Sequence, residues 1–205
     1  KAGNQIYLEH KVCEIETTEN KINKIHFENQ EMLEVKDSIV ISTLPISVTS
    51  RLLGHESKLQ FNAYILVYVV VNQDQVLEDE VQSVYFAHDD SHFHRVTEQK
   101  KYSNTGFPDG QTLLCFEVSY RVRPHLEEMT DEELSKEVFD QFCDMGFAEK
   151  KDYLKGWTRK FPNINPIMTL GFEEELSKAN SVTSSFENLH TCGGSAEFTY
   201  GDMQV

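Results

Sequence analysis

The chain has 205 residues, 39% of them hydrophobic, and carries 34 acidic against 19 basic side chains for a net charge of −15. That length holds one large domain or two small ones with a substantial core. The charge argues against a nucleic-acid backbone or an anionic membrane surface as partner, but leaves a small anionic substrate open, because a local pocket can be basic on an acidic protein.

No apolar run has the length of a membrane-spanning helix, and no signal peptide opens the chain. The first residue is Lys1 rather than Met, so the reading expects the true N-terminus to lie upstream. Cys13, Cys115, Cys143 and Cys192 are scattered without a CxxC pair. That spacing reads as ordinary reduced thiols in a cytoplasmic protein, not a zinc ribbon or a disulfide scaffold.

Residues 5–16 alternate apolar and polar and predict a strand. A second strand follows over 22–28 and a third around Leu33-x-Val35, which together predict an antiparallel meander. Ile39, Val40 and Ile41 form a continuous β-branched run, the pattern of a strand buried on both faces. Pro45 then suits the start of a helix reaching Leu53.

Residues 62–73 give the strongest strand signal, 82–98 one or two more, and 111–122 another. The loop Asn104 to Gly110 is rich in turn formers. Thr130 with Glu133 matches a capping box, and Leu134, Val138, Phe139, Phe142 and Met145 recur at helical spacing up to Gly146. Residues 151–160 read as a further strand and Phe172 to Ser181 as a helix with three glutamates in its first turn. The fold class is therefore α+β, a mixed or antiparallel sheet with helices.

Candidate chemistry is sparse. His88, Asp90, His92 and His94 would share one face of an extended strand and converge on a metal. The competing reading, a polar strand end or loop with solvated histidines, is preferred, and no metal is assigned. Arg95, beside Phe93, suits a clamp on a carboxylate or phosphate; the bland alternative pairs it with Glu98 on the surface. Tyr64, Tyr68, Tyr85, Phe86 and Phe116 are most simply packing residues, with a substrate cleft as the other possibility. No GxSxG elbow, Walker loop or HExxH is present, and the carboxylates at 127–128 and 131–133 read as a solvated helix start rather than a glycosidase pair.

The last sixteen residues, HTCGGSAEFTYGDMQV, hold the adjacent glycines Gly193 and Gly194, then Phe198-x-Tyr200 and Gly201-Asp202-Met203. Paired glycines let a backbone pass close to a ligand. Asp202 suits the cap of a helix starting at Met203.

Three segments carry a resemblance. IYLEHKVCEIE…NKIHFEN…VKDSIVISTLP is similar to the later part of the FAD domain in the flavin amine oxidase and protoporphyrinogen oxidase superfamily. SVYFAHDDSHFHRVTEQKKYS with DGQTLLCFEVS resembles members close to the UDP-galactopyranose mutases and protoporphyrinogen-oxidase-like proteins. GGSAEFTYGDM resembles the closing flavin-contacting motif of that superfamily, with Gly194 where an Arg is expected. The resemblance implies residual FAD-domain strands in 1–55, a substrate domain in 56–185 and a return to the FAD domain in 186–205.

By the same resemblance Val12, Thr43, Pro45, Gly193, Gly194, Asp202, Met203 and Gln204 would contact FAD, and Arg95 and Tyr200 the substrate. A nucleotide sugar or an amine is the implied small-molecule substrate, with hydride transfer or flavin N5 nucleophilic chemistry as the implied reaction. The GxGxxG unit that cradles a dinucleotide pyrophosphate is absent from the sequence. The expectation is a fragment of a flavin-dependent oxidoreductase or mutase, inactive by itself; the alternatives are a stand-alone ligand-binding module and a metal domain on His88, His92 and His94.

Overall fold

A computed structural model describes residues 3–87, 90–121 and 123–200. The chain divides into two compact units, residues 1–61 with 165–205, and residues 62–164.

In the first unit, β1 (Val12–Thr18), β2 (Lys21–Phe27) and β3 (Met32–Glu34) form the expected antiparallel meander. The strand expected over 5–16 starts only at Val12, because Val12 already pairs with Phe27, the last residue of β2. Ile6 and Leu8 lie before that pairing and are exposed.

β4 (Val40–Ser42) and β10 (Leu189–Thr191) form a two-stranded parallel sheet. The expectation of a strand buried on both faces is corrected here. Ile39 and Ile41 are 72% and 64% exposed, because a two-stranded pair covers little of either face.

The helices α1 (Ile46–Leu52) and α3 (Phe172–Thr183) pack through Ile46, Ala179, Phe172 and Leu176 around Phe61 and Phe198. A short helix, α4 (Gly194–Glu197), occupies the glycine-rich tail, and Phe198 follows it in the left-handed conformation with φ 55°. Phe198 is buried against Phe61 and Phe172, and Tyr200 is 76% exposed. Asp202, Met203 and Gln204, and the helix expected to start at Met203, lie outside the described residues.

Asn188 stitches this unit together. Its buried side chain accepts from the Ile22 amide at 2.9 Å and donates to the carbonyls of Ile22, Val35 and Ser38. One amide thus satisfies backbone groups that the meander leaves unpaired.

The second unit is built on a five-stranded sheet in the order β6-β7-β8-β5-β9, with β5 (Gln60–Val71), β6 (Ser83–Tyr85), β7 (Phe93–Glu98), β8 (Thr112–Ser119) and β9 (Tyr153–Ile167). One helix, α2 (Asp131–Asp144), covers one face, and the capping box between Thr130 and Glu133 is formed. Ile65, Val67, Val69 and Val71 alternate inward from β5 and meet Leu114, Phe116 and Val118 of β8 and Leu134, Val138, Phe139 and Phe142 of α2.

Gly156 of β9 sits directly beneath α2. A Cβ there would lie 2.3 Å from the Ser135 Cβ, so the helix approaches this closely only because residue 156 has no side chain. Among the described residues no helix is long and apolar enough to cross a membrane.

Candidate active site

The first unit places four of the expected cofactor residues in two loops. β4 and β10 run parallel, Val40 opposite Leu189 and Ser42 opposite Thr191. Thr43 and Pro45 lie in the connection from β4 into α1; Gly193 joins β10 to α4, and Gly194 is the first residue of α4. The Cys192 amide donates to the Ser42 carbonyl at 3.0 Å, which ties the two loops at their roots.

Crevices beyond the carboxyl ends of parallel strands are where open α/β sheets hold ligands. Gly193 has φ 97° and ψ 157°, backbone that is essentially reserved for glycine. A Cβ on it would meet nothing within 4 Å, so conformation, not crowding by the protein, requires glycine there. The open space at Gly193 lets a ligand come close to the backbone, which suits a phosphate-bearing cofactor. Val12 stands apart, at the start of β1.

The second unit offers a sheet face opposite α2. On β5 the residues alternating with the core are Tyr64, Leu66, Tyr68 and Val70, and on β8 they are Leu113, Cys115, Glu117 and Ser119. Tyr85 pairs across to Arg95, Arg95 to Glu117, and Glu117 to Leu66. The next row is Ser83, Thr97, Cys115 and Tyr68.

The register slips between Phe93 and Arg95. This bulge sets two residues of β7 against one of β8 and turns both His94 and Arg95 toward Glu117. Arg95 donates Nε to Glu117 Oε1 at 2.7 Å, a second nitrogen to the same oxygen, and Nη1 to the Tyr85 hydroxyl at 3.0 Å. His94 Nε2 lies 3.3 Å from Glu117 Oε2, and its ring lies 4.9 Å from that of Tyr64.

Burial pushes the Glu117 carboxyl up, but the hydrogen bonds from His94 and Arg95 outweigh it and hold the group below the ordinary glutamate value. The same bond to Glu117 raises the Arg95 guanidinium further. Burial pushes the Cys115 thiol up to about 12, so it stays protonated at neutral pH.

The alternative pairing of Arg95 with Glu98 does not occur. Glu98 is fully buried and accepts from the amides of Val76 and Leu77 and from the Thr112 hydroxyl. The extended strand that the metal reading requires does not run through the described residues 90–92, which are turn and bend before β7 begins at Phe93. His92 bonds Glu137 on α2 and His94 bonds Glu117, so the two histidines serve different carboxylates. His88 lies outside the described residues; among those described, no group of three His, Cys, Asp or Glu is arranged to hold a metal.

The aromatic positions sort by face. Phe116 is core and Phe86 packs against it; Tyr64 and Tyr68 stand on the opposite face, and Tyr85, also there, is 70% exposed. Glu117 and Trp157 were not singled out in the sequence. A carboxylate in the middle of TLLCFEVS was the available signal for Glu117, while the bulge that gives it two cations has no sequence signature.

Comparison with known proteins adds the family. The flavin containing amine oxidoreductase model matches residues 1–200. Nothing among curated protein sequences matches the chain. Three solved structures under 25% identical share the fold. A reduced UDP-galactopyranose mutase superposes with TM-score 0.70 at 20% identity, covering 87% of this chain and 39% of that one. A protein assigned as a protoporphyrinogen oxidase, from Exiguobacterium sp. 255-15, gives 0.64 at 15% identity, with 90% and 41% covered. A double mutant of putrescine oxidase redesigned in cofactor binding gives 0.58 at 15% identity, with 93% and 44% covered. The chain thus spans about two fifths of the length of these structures, and its match over residues 1–200 makes it a member of the flavin containing amine oxidoreductase family.

Proposed function

We propose that this chain supplies part of an FAD site from its first unit and a substrate face from its second, in a flavin-dependent oxidoreductase or sugar-nucleotide mutase. The observation that carries the reading is the parallel pair β4 and β10, whose following loops bring Thr43, Pro45, Gly193 and Gly194 to one edge. In this reading Gly193 and Gly194 lie along the cofactor pyrophosphate, Thr43 and Pro45 end the strand beside it, and Val12 serves the adenine side. Asp202, Met203 and Gln204 belong to the same proposed contact set.

FAD, when bound, supplies hydride acceptance or, in a mutase, a nucleophilic ring nitrogen. The protein's own residues bind and orient. Arg95, held by Glu117 and Tyr85, keeps a fixed cation on the sheet face, and Tyr200 offers an exposed phenol; both are proposed substrate contacts. A small-molecule substrate, a nucleotide sugar or an amine, fits this arrangement. The free state of all four cysteines supports a cytoplasmic location. Because the chain covers 39% to 44% of the matched structures, the 205 residues alone are proposed to hold FAD weakly and to be inactive.

The test is flavin occupancy of the complete gene product, read from its visible absorbance after purification. Bound flavin in the parent protein, with occupancy lowered by Gly193→Val, is expected. A colourless product that takes up no added FAD would overturn the reading.

A further inference from the structure

β9 and the turn before it are unusually basic for a chain of net charge −15: Lys150, Lys151, Lys155, Arg159 and Lys160 are five of its 19 cations. The single acid among them, Asp152, is buried and bonded to Gln73. Lys150 pairs with Asp144, Lys151 with Glu149, and Lys160 donates to the Glu127 carbonyl. Arg159 Nη1 donates to the neighbouring Thr158 carbonyl at 2.9 Å, a bond that leaves its charge without a carboxylate among the described residues.

Strand alternation places Lys155 and Arg159. Gly156 abuts Ser135, and Thr158 bonds Asp131 at the start of α2. Lys155, Trp157 and Arg159 therefore stand on the opposite face, with each cation about 7 Å along the strand from the indole. Trp157 stacks on Tyr68, ring centroids 5.4 Å apart and planes within 14°. Burial raises the Tyr68 phenol, with the Arg159 charge a lesser opposing influence. Glu117, the carboxylate on the two cross-strand rows traced above, already holds His94 and Arg95.

We propose that Trp157, Lys155 and Arg159 on this face bind a ligand that joins a planar ring to an anionic group, phosphate or carboxylate. The ring stacks on the indole face that Tyr68 leaves, and the anion sits between the flanking cations. A protonated amine meets like charge at the same place. The inference rests on the reading of this face as the substrate side and names the substrate class.

Trp157 is the one tryptophan of the chain, so its fluorescence reports the site directly and requires no flavin. Phenyl phosphate, benzoate and adenosine monophosphate are titrated against benzyl alcohol, inorganic phosphate and benzylamine. Saturable quenching by at least one of the three ring anions is expected, with the neutral alcohol, free phosphate and the amine at least ten-fold weaker; which anion binds best identifies the group. Lys155→Gln with Arg159→Gln, both exposed and remote from the α2 packing, should weaken binding about ten-fold at low salt. Equal quenching by benzyl alcohol or benzylamine, no saturation with any ring anion, or an unchanged double variant would each overturn the proposal. Absence of flavin from the complete gene product would leave this titration unaffected, so the two failures are distinguishable.

Discussion

Replacing Glu98 tests the core of the second unit. Its carboxylate is fully buried and accepts from the Val76 amide at 3.0 Å, the Leu77 amide at 2.8 Å and the Thr112 hydroxyl at 2.7 Å. In Glu98→Ala the Thr112 hydroxyl can turn elsewhere, but the two amides are fixed by the backbone. Each stranded donor costs about 1–3 kcal/mol, so the loss is about 2–6 kcal/mol. A cavity of about 400 Å³ beside Glu98, lined also by Asp74 and Lys100, lets water reach part of the site and favours the lower half of that range.

Glu98→Gln can keep the acceptor that serves Val76 and Thr112 and turn its NH2 toward the Leu77 amide alone, and should lose about half as much. Trp157 lies in the same unit as Glu98, so urea unfolding followed by its fluorescence reports on that unit. With a slope of about 2 kcal/mol/M, the midpoint of Glu98→Ala should fall by about 1–2 M. A fall below about 0.3 M, or a Gln variant less stable than the Ala variant, would refute the accounting.

Further outcomes follow from single contacts. Gly156→Ala should lower the same midpoint by about 1–3 kcal/mol of stability through overpacking, since the new Cβ would lie 2.3 Å from Ser135 Cβ; adding Ser135→Gly should restore much of it, and no rescue would point away from this clash. Glu117 titrates below the ordinary glutamate value in the folded chain, so its contribution is complete above that ordinary value and is lost as pH falls through the folded one. Melting followed by Trp157 fluorescence should therefore show a steeper acid decline in the parent than in Glu117→Gln, and parallel curves would contradict the assignment. Cys13 and Cys192 are exposed, while burial lifts Cys115 to about 12 and Cys143 to about 11. A disulfide reagent at pH 8 should label two thiols quickly and all four only in denaturant; rapid native labelling of Cys115 would contradict its burial.

Much of the fold was written in local pattern. The capping box at Thr130, the inward alternation of Ile65, Val67, Val69 and Val71, and the meander turns appear where the sequence places them. Misplaced features depend on partners distant in the chain. Ile39 and Ile41 carry the composition of a doubly buried strand, yet their exposure depends on which strands flank β4. Residues 5–11 have the alternation of a strand but extend past the end of β2, and alternation alone does not supply a pairing partner. The histidines of 88–94 share a face only on a continuous strand, and the described structure starts β7 at Phe93. Asn188 shows no pattern at all, because its four backbone partners belong to residues 22, 35 and 38. Thr43 and Gly193, in turn, were linked by family resemblance rather than by spacing; parallel pairing of β4 with β10 gives that link a physical basis.

The geometry of Arg95 narrows what it can do for a substrate. An anion clamped by its Nε and Nη2 edge would have to displace Glu117, a carboxylate tethered on the neighbouring strand and already hydrogen-bonded there. Such a tether acts at a high effective concentration. Protonating Glu117 would release the edge, but the carboxyl is held in its charged form by Arg95 and His94 together. A ligand of the proposed kind would therefore have to approach the guanidinium from the Nη1 side, next to the Tyr85 hydroxyl it already holds. On that side Arg95 and Tyr85 act as a pair with Glu117 as their anchor, and the charge of the trio is nearly balanced. Net positive charge on this face then comes from β9, where Lys155 and Arg159 flank the indole, rather than from the arginine that the sequence made most conspicuous.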